Sequence, residues 1–150
     1  ALKLLDDYDI KWQLSIVGKV LNKSIYSKLM NDSRVKFHGY LNQKKLMKLL
    51  RNSDIFVLPS KNETFGISYL EALSQSLPII YSSGQGFDGI FENGFVGYSV
   101  NHNRPFEITK RVFQIIERYE DISKNAHMVI NKFDWDNIAR KYINEIYNLF

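Results

Sequence analysis

Two glutamates flank a Phe-Gly pair in the segment PSKNETFGISYLEAL, which covers residues 59–73. Glu63 precedes a helix that is predicted to begin near Gly66, and Glu71 lies about one and a half turns inside that helix. Carboxylates accept hydrogen bonds from sugar hydroxyls, as the ribose-binding acid of dinucleotide folds does. The unpaired amides at a helix N-terminus attract phosphate. The spacing is therefore compatible with a diphosphate ligand with a sugar at each end, which is the layout of a nucleotide sugar.

The backbone between the two glutamates supports the same chemistry. Gly66 has no side chain to block the approach of a phosphate, and Ser68 supplies a hydroxyl. The alternative is that Glu63 is only a favourable charge ahead of a helix and that Glu71 is a solvated surface residue, because both situations are common. The residue pattern by itself leaves both interpretations open.

The chain that must position these residues alternates short apolar runs with amphipathic ones. Strands are predicted at residues 12–18, 34–40, 54–59, 77–82 and 95–100, and helices at residues 24–31, 42–53, 66–75, 104–119, 120–131 and 135–150. Ser24, Asn42 and Asp134 are the predicted helix caps. This alternation predicts an α/β fold, with a Rossmann-like, doubly wound parallel sheet and additional C-terminal helices.

The predicted sheet places the glutamate segment where ligands bind. Ligands of open parallel sheets lie beyond the carboxyl ends of the strands, and residues 60–65 follow directly on the strand at 54–59. That strand is apolar throughout, which predicts burial on both of its faces. Four glycines follow the next strand and indicate sharp bends or a close approach to the backbone: Gly84, Gly86, Gly89 and Gly94.

Composition narrows the functional classes. A chain of 150 residues suits one domain, and the absence of cysteine excludes disulfides and thiolate metal sites, which fits a cytoplasmic location. The net charge of +4 is mild, and no basic stripe alternates with aromatics, so nucleic-acid binding is not predicted. No apolar run reaches the about 20 residues of a membrane helix. Residues 1–12 contain acids where a signal peptide needs apolar residues, so none is expected, and the missing initiator Met suggests a piece of a longer protein.

Other residues that could do chemistry have plainer interpretations. Three histidines lack the spacing of a metal site, and no metal is predicted: His38, His102 and His127. Three lysines form a basic helix edge, for which a solvated face is favoured over peripheral membrane association: Lys44, Lys45 and Lys48. An aromatic stripe on the last helix predicts a core or domain interface: Tyr142, Tyr147 and Phe150.

The segment SDIFVLPSKNETFGISYLEALSQSLPII resembles the signature of family 4 glycosyltransferases, which have the GT-B architecture. That signature is an apolar strand, Pro-Ser, E-x-F-G-x-x-x-x-E-A and a second strand that opens with proline. Its residues here are Pro59, Ser60, Glu63, Phe65, Gly66, Glu71, Ala72 and Pro78. Further segments resemble the family in order, so that the resemblance covers essentially the whole chain: WQLSIVG, RVKFHGYLNQKKLMKLLRNSD, FENGFVGYSV and KFDWDNIARKYINEIY.

The resemblance implies a retaining, hexosyltransferase-type enzyme in which two Rossmann-like domains face each other. Residues 1–150 would form the C-terminal domain, which binds the donor. Glu63 would contact hydroxyls of the transferred sugar as the candidate catalytic residue, and Glu71 would hold the ribose. The backbone of four residues would meet sugar or phosphate: Phe65, Gly66, Ile67 and Ser68. Three residues would border the base: Gly39, Tyr40 and Leu41. Neither a metal nor a cofactor is implied.

The implied partners are a nucleotide-diphosphate sugar, a glycan or lipid-linked acceptor, and an N-terminal domain of the same chain. The setting would be surface polysaccharide or glycolipid synthesis, in the cytoplasm or at the inner face of the membrane. Two alternatives remain: a non-catalytic nucleotide-binding module of this fold, and a GT-B nucleotide-sugar epimerase. The sequence does not determine the base, the sugar, the acceptor, the linkage or the oligomeric state.

The chain also departs from the family pattern. The Arg and Lys that usually contact the diphosphate have no counterpart, so residues 1–150 alone are expected to be inactive. Ser76 stands near the position of a glycine that often precedes the strand proline, and Asp88 is the candidate for an acid that usually follows a Gly-Gly pair.

Overall fold

The computed structural model describes residues 1–147, so that Phe150 of the predicted aromatic stripe lies outside the described residues. The chain divides into two compact units, one of residues 1–49 and one that begins at Leu50. Each unit has its own parallel sheet.

The first unit pairs two short strands. Its elements are α1 (Leu2–Asp6), β1 (Leu14–Ile16), α2 (Lys23–Met30), β2 (Val35–Phe37) and the beginning of α3 (Gln43–Arg51). Strands β1 and β2 are parallel, with Leu14 opposite Val35 and Ile16 opposite Phe37. The sequence did not predict α1, because five residues are too few to show a helical period.

Of the two helix caps predicted in this unit, the structure confirms one and contradicts the other. Asn42 caps α3 as predicted, since its side-chain oxygen accepts a hydrogen bond from the Lys45 amide at 3.0 Å. The prediction of Ser24 as the cap of α2 is wrong, because Asn22 accepts from the Ile25 amide at 3.0 Å. Asn22 has the extended backbone of a cap, whereas Ser24 already lies in the first helical turn.

An arginine joins the N-terminal segment to β2. The Arg34 guanidinium lies 3.7 Å from the centre of the Trp12 ring and pairs with Asp6 at 2.5 Å and Asp32 at 2.8 Å. Its hydrogen bonds lower the pKa of Asp32 to about 2. The two carboxylates and the Trp12 ring thus hold Arg34, and with it the start of β2, against α1.

The second unit has a three-stranded parallel sheet in the order β3-β4-β5. Its elements are β3 (Phe56–Leu58), α4 (Ile67–Leu73), β4 (Ile79–Ser82), β5 (Gly97–Val100), α5 (Pro105–Glu117), α6 (Tyr119–Val129), a 3-10 helix (Ile130–Phe133) and α7 (Trp135–Tyr147). The parallel strands with flanking helices confirm the α/β class that the alternating sequence pattern predicts. The predicted helix at 120–131 ends two residues early, and a 3-10 turn leads to α7.

The core of the second unit lies around the central strand. All four residues of β4 are buried, as expected for a strand paired on both edges. Side chains of β4, β5, α5 and α6 form one cluster: Ile80, Tyr98, Val100, Ile115 and Ile122. Burial on both faces is wrong for β3, where Val57 is 39% exposed, whereas β5, the other outer strand, is almost wholly buried.

The turn between α4 and β4 contains a residue in the left-handed conformation. Ser76 has a φ of 63°, although it is not a glycine. Its amide donates to the carbonyl of Leu73 at 2.9 Å, and the next amide, of Leu77, donates to Ala72 at 3.1 Å. This closure of the helix end is the geometry in which glycine is usually found, which explains the glycine in the family pattern.

We expect Ser76→Gly to raise the free energy of unfolding by about 1 kcal/mol, because glycine adopts this conformation without steric cost. Urea unfolding measures the change. The matched control is Ser74→Gly, where φ is −64° and the same replacement should lower stability. A loss of stability at Ser76 would contradict the prediction and would mean that its 3.3 Å contact with His127 outweighs the backbone strain.

Candidate functional site

Two loops meet beyond the carboxyl ends of β3 and β4. We call residues 59–66 the first loop and residues 83–89 the second loop; they follow neighbouring parallel strands. The Glu63 amide donates to the side-chain oxygen of Gln85 at 2.9 Å. The Gly86 amide donates to the Glu63 carbonyl at 3.2 Å. Both backbone groups of Glu63 are therefore held by the second loop.

The contact between the loops depends on a glycine. A Cβ atom at Gly86 would lie 1.5 Å from the carbonyl oxygen of Thr64 and 3.0 Å from the amide nitrogen of Phe65. No side chain fits at such distances. The prediction that the glycine-rich stretch permits a close backbone approach is therefore confirmed, and the approaching backbone is the first loop of this chain.

Aromatic rings form the base of the second loop. Phe87 is 1% exposed, and its ring centre lies 4.9 Å from that of Tyr69, 5.3 Å from that of Tyr81 and 6.2 Å from that of Phe65. Rings at these separations pack favourably, and Phe87 anchors its loop beneath the first loop. Asp88 closes the same loop by accepting from the Gly84 amide at 2.7 Å.

The Glu63 carboxylate is half-buried and available. It makes no hydrogen bond or ion pair with any residue from 1 to 147. Its Cγ lies 3.3 Å from the position of a Cβ on Gly66, so the side chain passes over the glycine. Burial, and secondarily the charge of Glu63, raise the pKa of Tyr69 to about 12. The Tyr69 hydroxyl stays protonated at neutral pH and donates to the Leu58 carbonyl at 2.7 Å.

Gly66 turns the chain from the first loop into α4. Its φ of 84° and ψ of 70° are left-handed, and a Cβ there would lie 2.3 Å from the Tyr69 ring. The helix begins at Ile67, one residue later than predicted, and has seven residues. Its first amides have no acceptor within the helix. Ile67 points its side chain to solvent, with 71% exposed, whereas Ser68 is half-buried.

Glu71 lies inside this short helix, as predicted. Its side chain is half-buried and makes no hydrogen bond or ion pair in the described part of the chain. Its carbonyl accepts from the Ser74 hydroxyl at 2.6 Å, which holds the backbone at the end of the helix. The second unit thus brings two unpaired carboxylates, Glu63 and Glu71, into one loop-and-helix segment.

The residues predicted to border the base lie in the first unit, in the segment after β2. Gly39 has a φ of 63°, and its carbonyl accepts from the Gly18 amide at 2.8 Å. Tyr40 is 85% exposed and Leu41 is half-buried. The structure therefore groups residues 39–41 in one unit and residues 63–71 in the other.

Sequence analysis did not identify Gln85 as part of the site. The available indication was the cluster of glycines around it, which showed a close approach but not its partner. Asp88, the candidate for the family acid, directs its carboxylate to the Gly84 amide, and its charge adds to burial in raising the pKa of Tyr81 to about 12. Its contacts are those of a residue that shapes the loop.

Other parts of the described structure offer less for a ligand. Within residues 1–147, no three His, Cys, Asp or Glu side chains are placed to hold a metal ion. The same residues include no helix with both the length and the apolar character to cross a membrane. An open cavity of about 550 Å³ beside α6 is lined by none of the predicted site residues, but by Ser76, Tyr119, Glu120, Ser123, Lys124, His127 and Met128.

A comparison with protein families decides the assignment. The family described as "Glycosyl transferases group 1" matches residues 1–134. The chain belongs to this family of glycosyltransferases. The resemblance that the E-x-F-G-x-x-x-x-E-A segment indicates is thereby confirmed. The match begins in the first unit and ends at the residue before α7.

Curated relatives of this glycosyltransferase domain are longer proteins. An uncharacterized glycosyltransferase of Methanocaldococcus jannaschii is 35% identical over 115 residues, which is 74% of this chain and 30% of the relative. A probable sucrose-phosphate synthase of Thermosipho melanesiensis is 32% identical over 116 residues, or 74% of this chain and 27% of the relative. A Campylobacter jejuni N,N'-diacetylbacillosaminyl-diphospho-undecaprenol alpha-1,3-N-acetylgalactosaminyltransferase is 28% identical over 130 residues, which is 84% of this chain and 34% of the relative. The chain spans about a third or less of each.

Solved glycosyltransferase structures share the fold of the domain. Sucrose-phosphate synthase from Thermosynechococcus elongatus matches with a TM-score of 0.80 and 21% identity, over 99% of this chain and 41% of the other. Anabaena HepE in complex with UDP-glucose matches with a TM-score of 0.76 and 21% identity, over 91% of this chain and 41% of the other. The C-terminal domain of a Francisella tularensis group 1 glycosyltransferase matches with a TM-score of 0.65 and 22% identity, over 75% of this chain and 62% of the other. These matches confirm the GT-B glycosyltransferase fold.

Proposed function

We propose that this glycosyltransferase domain binds a nucleotide-diphosphate sugar and supports transfer of the sugar to an acceptor hydroxyl with retention of configuration. The observation that carries the proposal is the pair of unpaired, half-buried carboxylates, Glu63 and Glu71, on either side of the left-handed Gly66 in a chain of this family. Carboxylate oxygens without a protein partner can accept hydrogen bonds from the hydroxyls of a ligand.

The donor would lie along the segment from the first loop into α4. Glu63 would accept hydrogen bonds from hydroxyls of the transferred hexose, and Glu71 from the ribose. Between them, the backbone from Phe65 to Ser68 would approach the diphosphate, where Gly66 leaves room. Because α4 has only seven residues, its first amides would contribute as individual donors more than through a large helix dipole.

The chemical step would transfer the anomeric carbon from one oxygen to another. Its bond to the diphosphate oxygen breaks as the acceptor hydroxyl attacks from the same face, and the hydroxyl proton passes to the departing diphosphate. Amides aimed at the phosphate stabilise the charge that develops there. In this proposal the amides take the role that a metal ion has in other transferases, and no cofactor takes part.

We also propose that residues 1–150 are the C-terminal, donor-binding domain of a longer two-domain enzyme. The match to a C-terminal domain from Francisella tularensis and the chain's 41% coverage of HepE support this organisation. The N-terminal domain would bind the acceptor, so the 150-residue chain alone would bind donor without transferring it. The lipid-linked substrate in the printed name of the Campylobacter relative supports a glycan or lipid-linked acceptor.

Calorimetric titration of the chain with UDP, GDP and ADP tests the donor site. We expect one nucleotide to bind selectively, and Glu71→Ala to weaken it about 10- to 100-fold, because hydrogen bonds to a charged group contribute about 1.5–3 kcal/mol. Glu117→Ala is the matched control, since Glu117 is an exposed helical glutamate on α5 and its loss should leave affinity unchanged.

Equal weakening by both substitutions, or binding that ignores the Glu71 change, would contradict the placement of the ribose. Selective binding together with no sugar transfer by the two-domain protein would instead favour a non-catalytic module of the same fold.

A further inference from the structure

We infer that Gln85 is a positioning residue that fixes Glu63 for its contact with the donor sugar. The inference rests on the proposed function, because it concerns the site that Glu63 is proposed to form. Gln85 would act through Glu63, and no contact between Gln85 and the donor is required.

The hydrogen bonds around Glu63 define the geometry of this contact. The side-chain oxygen of Gln85 accepts from the Glu63 amide at 2.9 Å, and the following residue, Gly86, donates its amide to the Glu63 carbonyl at 3.2 Å. Two consecutive residues of the second loop therefore hold the donor and the acceptor of one residue in the first loop. The backbone at Glu63 cannot rotate without breaking one of these bonds, so the direction in which its Cα–Cβ bond leaves the backbone is fixed.

The first loop lacks regular structure that could hold Glu63 in another way. Residues 60–66 belong to neither a helix nor a strand, and three neighbours of Glu63 are exposed: Lys61, Asn62 and Thr64. A backbone amide in such a loop donates its hydrogen bond to a side chain or to water. Gln85 supplies the acceptor, and the half-buried position of its side chain limits its own movement.

The second loop is a firm base for this side chain. Asp88 accepts from the Gly84 amide at 2.7 Å, and the Asp88 amide donates to the Gln85 carbonyl at 2.8 Å. Phe87 is packed among the rings below. The backbone on both sides of Gln85 is thus held by hydrogen bonds, so that its side-chain oxygen stays in place to accept from the Glu63 amide.

The two ends of the proposed donor should respond differently to the loss of this contact. Glu63 would bind the transferred sugar and lies in the first loop, which Gln85 holds. Glu71 would bind the ribose and lies in α4, whose backbone is held by its own helix and by the Ser74 hydroxyl. Removing the Gln85 acceptor should therefore weaken binding of a nucleotide sugar and leave binding of the nucleotide unchanged.

The experiment compares Gln85→Met with Gln85→Glu. Methionine keeps the length of the side chain without the acceptor, whereas glutamate keeps an acceptor oxygen at the same position. Hydrogen exchange of the Glu63 amide, followed by NMR, should accelerate about tenfold in Gln85→Met and stay slow in Gln85→Glu. Calorimetry with UDP and UDP-glucose should show about tenfold weaker UDP-glucose binding in Gln85→Met with unchanged UDP binding.

Each result decides the inference. Unchanged exchange in Gln85→Met would overturn it, as would faster exchange with an unchanged ratio of UDP-glucose to UDP affinity, which would make Gln85 a loop stabiliser only. Rescue of slow exchange by glutamate would support the role of the acceptor. If the unmodified chain binds neither UDP nor UDP-glucose, the uridine form of the proposed function fails, and the exchange result alone decides whether Gln85 holds Glu63.

Discussion

Replacing Gly97 by alanine should remove the cooperative unfolding transition of the unit that begins at Leu50. Gly97 opens β5, and a Cβ atom there would lie 1.8 Å from the carbonyl oxygen and 2.8 Å from the amide nitrogen of Ile79 in β4. Its φ of 151° is also a conformation that residues with side chains rarely adopt. The obstructing atoms belong to the backbone of the central strand, so no side-chain rotation relieves the clash.

The expected cost of Gly97→Ala is more than about 4 kcal/mol, because β5 must move away from the strand on which the core is built. Total stabilities of about 5–15 kcal/mol leave little after such a loss. Circular dichroism during a thermal scan should show an early, broad or absent transition.

Gly18→Ala is the matched control for Gly97→Ala. Gly18 has a φ of 130°, but open space surrounds the position of its Cβ. The control should therefore cost only the strain of the backbone conformation, about 1–3 kcal/mol. If the two substitutions cost the same amount, the contact between β4 and β5 is not what makes Gly97 necessary.

Gly86→Ala should strongly weaken binding of the nucleotide sugar while the domain remains folded. The added Cβ would lie 1.5 Å from the Thr64 carbonyl oxygen, so the two loops must separate. Separation breaks both hydrogen bonds to the Glu63 backbone at once. Because the clash lies between loops and not within the sheet, the core around β4 should keep its far-ultraviolet circular dichroism. We expect UDP-glucose affinity to fall about 100-fold or more, since both bonds that direct Glu63 are lost.

Gly84→Ala separates the clash from the general effect of alanine in this loop. Gly84 has a φ of 68° and open space around its Cβ position, so the change strains the second loop without pushing it from the first. Calorimetry should show a small loss of UDP-glucose affinity for Gly84→Ala and the much larger loss for Gly86→Ala. Near-normal binding by Gly86→Ala would show that contact between the loops does not hold the site together.

Local sequence features predicted much of this domain because local interactions produce them. Asn42 accepts a hydrogen bond from an amide three residues later, and such a cap needs no tertiary contact. The alternation of apolar runs and amphipathic segments predicted parallel strands with helices between them, because a helix that connects two strands returns the chain to the same edge of the sheet. The placement of Glu63 ahead of α4 followed from the Pro-Ser and Phe-Gly pairs around it.

Local features failed where a neighbour distant in sequence sets the outcome. The apolar run of β3 suggested burial on both faces, yet Val57 is 39% exposed, because the burial of a strand depends on which other elements pack against it. The five-residue helix α1 was missed because it is too short to show a period.

The sequence by itself determined the family, the α/β class and the two carboxylates on either side of Gly66, because each depends on residue types at short, fixed spacings. The tertiary structure alone decided how Glu63 is held. Gln85 is 22 residues away along the chain, and its contact with Glu63 exists because β3 and β4 pair in parallel and release their loops at the same edge of the sheet. This pairing joins segments that are far apart along the chain, so the spacing of residues within either segment does not show it.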